Sequence, residues 1–328
     1  MNLLITGAAG FIGSHLVHYL LHKYPNYRLV GLDNLSIGSN LKNIEIPDPE
    51  KKYRFDFVKG DICDESLISS LLSGDSRYGK FDGVIHLAAE SHVDRSIEAP
   101  LGFVKTNVMG TANLLHQSYL NDLGMFLYVS TDEVYGSANY RAQKPMSETS
   151  PLLPNSPYSA SKASGDNLCR AYFKTYGLPV VATRCTNNYG PNQFSEKLIP
   201  ATVFRLLDGS PCKVYGTGQN TRDWLSVRDH VSALDMVFHR GTSGDCYNVA
   251  ANNEIRNIDL VKKICLYLDK DPCYLIEYVP DRLGHDERYF INSDKIKALG
   301  WSPNEDFEKS LKLTVEWYRW AHATGYFQ

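Results

Sequence analysis

Five residues in the middle of the chain could do chemistry together: Thr131, Asp132 and Glu133 in one run, then Tyr158 and Lys162. Tyrosine and lysine four positions apart share one face of a helix. A tyrosine with its ordinary pKa of about 10 is a poor base at neutral pH. An ammonium beside it favours the phenolate, so Lys162 is expected to lower the pKa of Tyr158. Such a phenolate can take the proton of an alcohol while a hydride leaves its carbon. Asp132 and Glu133 add a second capability, because paired carboxyl groups with separated pKa values can run a general acid and a general base at one pH. The set suits an enzyme that oxidises a sugar, removes water from it and returns the hydride.

The surrounding elements must place these groups. Pro157 opens a helix well, since its missing N–H would be unpaired in the first turn. Phe126–Ser130 reads as a buried strand with the triplet at its carboxyl end, where ligands of open α/β sheets bind. Neighbouring residues within a strand point to opposite faces, so both acids serve one site only if the strand stops at about Thr131. A capping role for one acid at the next helix is the plainer alternative. Further strands are expected at Asn2–Thr6, Arg28–Asp33, Arg54–Lys59, Gly83–Leu87 and Pro179–Arg184. Helices are expected at Phe11–Lys23, Ser66–Leu72, Pro100–Asp122 and Pro157–Tyr176. This alternation predicts an α/β fold, a Rossmann-type doubly wound parallel sheet, followed by a smaller C-terminal substrate-binding domain. The boundary falls near Gly190-Pro191, giving a first domain over 1–190 and a second over 191–328. Arg222–Val227 reads as a strand before a helical Asp229–His239, a return of 222–250 toward the first domain. Phe307–Thr324 reads as an amphipathic helix.

Gly7-Ala8-Ala9-Gly10-Phe11-Ile12-Gly13 follows the first strand and opens the first helix. Glycines there permit a tight turn, close approach of a pyrophosphate and close helix–strand packing, with phosphate oxygens against free N–H groups. The spacing is G-x-x-G-x-x-G, a near match to the general fingerprint. Asp33 ends the second strand about 20 residues beyond Gly13, placed for the adenosine ribose hydroxyls. A carboxylate there repels a 2′-phosphate, so NAD is expected over NADP. Asp61 and Ile62 close the third strand near the adenine. Leu87, Ala88 and Ala89 close the fourth, leaving room for a flat cofactor, although small residues also serve ordinary sheet–helix packing. Asn34, Ser91 and Thr106 complete the expected cofactor set with Tyr158 and Lys162.

With 34 Lys+Arg against 37 Asp+Glu, a net charge of −3 is a poor match for a nucleic-acid binder. An anionic ligand then needs a local cluster of cations, and the second half supplies Lys197, Lys213, Arg222, Arg282, His285 and Arg288. The seven scattered cysteines form no C-x-x-C pair, so neither a zinc site nor a disulfide framework is expected, and no other metal. No apolar run approaches the roughly 20 residues of a membrane span. A cytoplasmic protein is expected.

The chain resembles the extended short-chain dehydrogenase/reductases (the NAD-dependent epimerase/dehydratase family), and within them the dTDP-glucose 4,6-dehydratases. The resemblance runs over nearly the whole chain. It rests on Gly7–Gly13, Leu87-Ala-Ala-Glu-Ser-His-Val-Asp-Arg-Ser96, Ser130-Thr-Asp-Glu-Val-Tyr-Gly136 and Tyr158-Ser-Ala-Ser-Lys162. It continues through Arg184-Cys-Thr-Asn-Asn-Tyr-Gly-Pro191, Glu196–Pro200, Thr221–Trp224 and Asp281–Asp286. Departures at Ala8, Thr186 and Glu287 remove no catalytic group. The resemblance implies NAD as a resident cofactor, with Asn188 near it and Lys162 on its ribose. It implies dTDP-glucose as substrate, contacted by Asn187, Lys197, Leu198, Arg222, Asn257 and Arg282. Ser91, His92, Thr131, Lys213, Tyr215, His285 and Tyr289 are added to that substrate set, Tyr215 as a stacking partner of the base. It also implies roles. Tyr158 deprotonates the C4 hydroxyl, Thr131 bonds its oxygen, Glu133 removes the C5 proton and Asp132 protonates the departing C6 hydroxyl. A UDP-glucose 4,6-dehydratase and an NAD-dependent C4 epimerase are the alternatives, the second having no use for both acids. By analogy of fold, a homodimer is expected through Pro100–Asp122 and Pro157–Tyr176.

Overall fold

The computed structural model describes residues 1–139, 141 and 144–327. Seven strands form one parallel sheet: β1 (Asn2–Thr6), β2 (Arg28–Asp33), β3 (Phe55–Lys59), β4 (Gly83–His86), β5 (Met125–Thr131), β6 (Val180–Cys185) and, after a long excursion, β10 (Cys246–Val249). Their order is β10-β6-β5-β4-β1-β2-β3, and every neighbouring pair is parallel. Alternate residues of the central strands enter different cores. Leu3, Ile5, Leu127 and Val129 face the helices Phe11–Lys23 and Val227–Arg240. Leu4, Phe126 and Tyr128 face Glu65–Leu72, Thr111–Leu120 and Pro157–Tyr176. Burial on both faces explains why these strands read as unbroken apolar runs. The order reverses between β1 and β4, which opens a crevice at the carboxyl ends of the strands. The fold is the doubly wound Rossmann type that the sequence predicts.

The remaining strands lie outside this sheet. β7 (Asn187–Tyr189), β9 (Thr221–Ser226) and β11 (Glu254–Arg256) make a three-stranded sheet ordered β11-β9-β7. β8 (Cys212–Tyr215) pairs in parallel with β12 (Ile276–Val279). A separate core of Ile199, Val203, Leu260, Ile264, Leu311 and Val315 knits the helices Leu198–Leu207, Asn257–Tyr267 and Phe307–Ala323.

Two expectations change. The strand expected at Arg222–Val227 forms, but between β7 and β11; the return to the large sheet is made by Val227–Arg240 and β10. Its polar residues find backbone partners in that smaller sheet, which local pattern cannot distinguish from the large one. The helix expected over Pro100–Asp122 is interrupted by a π segment, Val104–Gly110, between Pro100–Phe103 and Thr111–Leu120. Inside it the buried Asn107 accepts from Glu90 N at 2.8 Å and donates to Glu90 O at 2.9 Å and Ser161 Oγ at 2.8 Å. The wider turn thus carries a side chain that ties the loop after β4 to the helix bearing Tyr158, a use typical of π segments near functional sites.

Candidate active site

A large cleft of about 990 Å³ runs along the carboxyl ends of the sheet and across to the second core. β5 ends at Thr131, and Asp132–Tyr135 turn into a short 3-10 helix. Thr131 caps that helix: its Oγ1 accepts from Glu133 N at 3.3 Å and donates to Asp132 Oδ1 at 3.2 Å. Strand alternation therefore stops where it must for both acids to face one cleft, and the cap is Thr131 itself. Across from it, Ser156 and Ser159 exchange side-chain and backbone hydrogen bonds at 3.0 and 3.1 Å, with Pro157 at the first helical position. This capping box sets where the helix begins, and hence where Tyr158 and Lys162 project.

Burial governs the electrostatics. The Asp132 carboxyl is held well above the usual carboxylate range, by burial first and then by the charge of Glu133. Its Oδ2 is buried with no partner among the described residues. Glu133 is also raised by burial, but Arg222 and Lys197 pull it back. The two acids are thus placed in unlike fields. Burial lowers Lys162 to about 8, Asp166 opposing. The ammonium donates to Val129 O at 2.8 Å and lies 4.3 Å from the Tyr128 ring centroid.

Tyr158 departs from the sequence expectation. Its pKa stands well above 10, raised by burial and by the charges of Glu133, Cys185 and Asp132, with a hydrogen bond to Thr131 opposing. The Lys162 ammonium is engaged by Val129 O and does not offset the burial of the phenol. The ordinary cost of ionising a buried group wins here.

The glycine run adopts the expected turn. Gly7 has φ +70°, and a Cβ there would lie 2.7 Å from Ala88 N; one on Gly13 would lie 2.0 Å from Gly7 O. Gly10 precedes the helix with no side-chain cap, leaving its first N–H groups facing the cleft. Asp33 accepts from Ala9 N at 3.0 Å and from Leu35 N at 2.8 Å, so it braces the turn while lining the cleft. Buried polar atoms of Thr186, Asn187, Asn188 and Asn257 also line the cleft without partners among the described residues. A bare glycine cradle and a wall of orphaned polar groups fit a dinucleotide and a polar co-ligand.

Every other expected cofactor residue lines this cleft: Phe11, Ile12, Asn34, Asp61, Ile62, Leu87, Ala88, Ala89, Ser91 and Thr106. So do the expected substrate residues His92, Lys197, Leu198, Lys213, Tyr215, Arg222, Arg282 and His285. Tyr289 does not. It is buried beside the cleft in a small side cavity, its hydroxyl donating to Asp286 Oδ2 at 2.8 Å and its ring 4.3 Å from the Arg222 guanidinium. Arg288 is paired with Glu254 at 2.6 Å and is absent from the cleft wall.

Sequence reasoning missed how the cations are held. Arg282 donates through Nε at 2.6 Å and NH2 at 2.8 Å to the two oxygens of Asp94, on the short helix after β4. Lys197 Nζ donates to Ser91 O at 2.7 Å, and Arg95 pairs with Glu196. These bridges join segments about 100 to 190 positions apart across the cleft. No local pattern signals such partners.

The family model for GDP-mannose 4,6 dehydratase matches residues 4–314. A probable dTDP-glucose 4,6-dehydratase of Sinorhizobium fredii is 46% identical over 97% of this chain and 93% of its own length. The dTDP-glucose 4,6-dehydratase of Salmonella typhimurium is 45% identical, covering 97% and 92%. Among solved structures, DesIV, a dTDP-glucose 4,6-dehydratase from Streptomyces venezuelae with NAD and TYD bound, superposes with a TM-score of 0.92 at 42% identity. The match covers 99% of this chain and 98% of that one.

Proposed function

We propose that this chain, which belongs to the GDP-mannose 4,6-dehydratase family, converts dTDP-glucose to its 4-keto-6-deoxy product with NAD as a resident cofactor. The observation that carries this reading is the pair of acids at the end of β5, set in unlike fields beside Tyr158 and Thr131. A simple dehydrogenase or C4 epimerase has no use for both. The relatives named above support the choice of nucleotide and cofactor.

NAD held by Gly7–Gly13, Asp33 and Asn188 would supply an acceptor for the C4 hydride, a positive charge in the same cleft, and the source of the hydride that C6 needs after water is lost. Tyr158 would accept the proton of the sugar C4 hydroxyl once the positive charge of the nicotinamide offsets the burial that raises its pKa, with Thr131 hydrogen-bonding the same oxygen. A ketone at C4 makes the C5 proton acidic, and Glu133, ionised with help from Arg222 and Lys197, removes it. Asp132, which burial keeps protonated, gives its proton to the departing C6 hydroxyl, so water leaves. Glu133 then returns a proton to C5. Gly7–Gly13, Asp33 and Asn188 hold the cofactor; Lys197, Arg222, Arg282 and Asn257 hold the nucleotide diphosphate. In this division residues 1–190 carry the cofactor and catalytic groups, and 191–328 mainly the nucleotide sugar.

The chain is further read as a cytoplasmic homodimer. All seven cysteines are free, as a reducing compartment requires, and no helix among the described residues is long and apolar enough to cross a membrane. Leu101, Met109 and Leu120 are more than half exposed on the interrupted helix, and Tyr176 nearly half on its neighbour. Such apolar exposure suits a second copy.

The test is to mix purified protein with dTDP-glucose, and separately UDP-glucose, adding no NAD. Loss of one water by mass spectrometry, with turnover, is the expected result for dTDP-glucose. An unchanged mass with an inverted C4 centre would mean epimerisation. No reaction even with NAD supplied would overturn the reading.

A further inference from the structure

The loops that border the cofactor half of the cleft are both anchored on one distant element. On one bank, Ser36, Ile37, Gly38 and Ser39 follow Asp33 and line the cleft. Just beyond them the buried Asn43 donates to Ala9 O, inside the glycine turn, at 2.9 Å. Asn40 N donates to the same carbonyl at 3.0 Å. The remaining Asn43 oxygen accepts from Tyr326 Oη at 3.1 Å, and Lys42 Nζ donates to Tyr326 O at 3.1 Å.

On the other bank, Gln193 and Phe194 line the cleft. Their loop is held by the fully buried Tyr318, whose hydroxyl is 3.0 Å from Gly190 O and 2.9 Å from Gln193 O. The two banks meet where Gly38 faces Phe194, since a Cβ on Gly38 would lie 3.6 Å from the Phe194 Cβ. Tyr318 belongs to the helix Phe307–Ala323 and Tyr326 to the segment after it. Tyr326 is seated there against Trp317 and Trp320, with ring centroids 5.3 and 5.6 Å away.

We propose that Tyr318 and Tyr326 form a clasp that ties both rims of the cofactor cleft to the final helix, and that Tyr326, acting through Asn43, sets how slowly NAD leaves. It is a positioning residue, outside the cleft wall. A hydride that must return to the same sugar needs a cofactor that outlasts the reaction, and a cleft rim free to open would release it. Tyr326 is suited to this task because its hydroxyl donates to Asn43, a side chain that also grips the glycine turn, with Asn192 Oδ1 a longer 3.5 Å away beside the other bank. The inference rests on the NAD reading above.

The test is Tyr326→Phe, which keeps the ring in its aromatic seat and removes only the hydroxyl. Both proteins are loaded with NAD and passed at timed intervals through gel filtration, and the NAD retained is extracted and quantified. Release roughly two- to tenfold faster is expected, the range for loss of one neutral hydrogen bond. The melting temperature of the cofactor-free variant should match that of the unaltered protein. Equal release rates would overturn the proposal. So would faster release with a matching drop in the cofactor-free melting temperature, because the hydroxyl would then stabilise the domain at large. If the unaltered protein retains no NAD at all, the NAD reading itself fails, a result distinct from either.

Discussion

On the bank of the cleft proposed as catalytic, Thr131, Asp132, Glu133, Tyr158 and Lys162 come from two elements whose geometry is set by residues a few positions away. Thr131 caps its own turn, and Ser156, Pro157 and Ser159 start the helix that carries Tyr158. On the nucleotide bank, Arg282 and Lys197 owe their placement to Asp94 and to Ser91 O, 188 and 106 positions away. The first bank is stiff because hydrogen bonds within regular elements over-determine it. The second is a pair of charged side chains on loops, held by partners on distant segments for which a charged ligand would compete. The contrast fits the division of labour proposed here, since acid–base chemistry needs fixed geometry and substrate entry needs groups that can let go.

Breaking the stiff bank should cost most. Tyr158→Phe should lower kcat by about 10²- to 10⁴-fold, the usual range for a lost acid–base group, with little change in KM. Steady-state product formation by mass spectrometry measures it. A kcat within tenfold of the parent would mean that another group takes the C4 proton.

Glu133→Gln should lower kcat by roughly 10²-fold or more. In D2O the unaltered enzyme should place solvent deuterium at C5, and the variant should not. The pH dependence has a definite sign. Glu133 acts as a base only when ionised, and its pKa is raised in the folded protein, chiefly by burial. Activity should therefore fall as pH drops through a limb above the ordinary carboxylate range. A limb at about 4.3, the value for an unperturbed glutamate, would remove Glu133 from the role.

The nucleotide bank should give a smaller and different effect. Asp94→Asn takes the charge from the group that orients Arg282, while the NH1 edge of that guanidinium already lacks a bond to Asp94. We expect KM for dTDP-glucose to rise about three- to tenfold with kcat within twofold, as for one weakened charge-assisted contact. A fall in kcat with constant KM would erase the distinction between the banks.

The smallest effect concerns stability. Burial lowers Lys162 to about 8, against 10.5 ordinarily. Between those values the unfolded chain binds more protons than the folded one, so stability should rise with pH across that window. Below pH 8 the buried charge is a standing cost. Lys162→Met should melt no lower than the parent at pH 7, and its stability should lose part of that upward slope. Thermal melts from pH 7 to 10 would show it; a variant that melts much lower at pH 7 would mean that the bond to Val129 O dominates.

The sequence by itself determined what depends on short-range pattern. Apolar runs and glycines at fixed offsets specified the sheet, the first helix at Phe11–Lys23 and the helix at Pro157–Tyr176, because burial period and capping are local properties. The residues of the cleft wall were legible for the same reason, being strand ends on a known layout, with the family's motifs supplying those on later loops. Tertiary structure decided the rest. It put the Arg222 strand in the smaller sheet and β10 in the large one, and opened a π segment where Asn107 reaches two other elements. It raised Tyr158 where spacing to Lys162 alone suggested the reverse, because desolvation depends on everything packed around a group and not on its neighbour in sequence. It also set Tyr289 behind Arg222, joined Asp94 to Arg282 and brought Tyr326 to Asn43. Those pairings are decided by how distant segments pack, and local spacing carries no record of them.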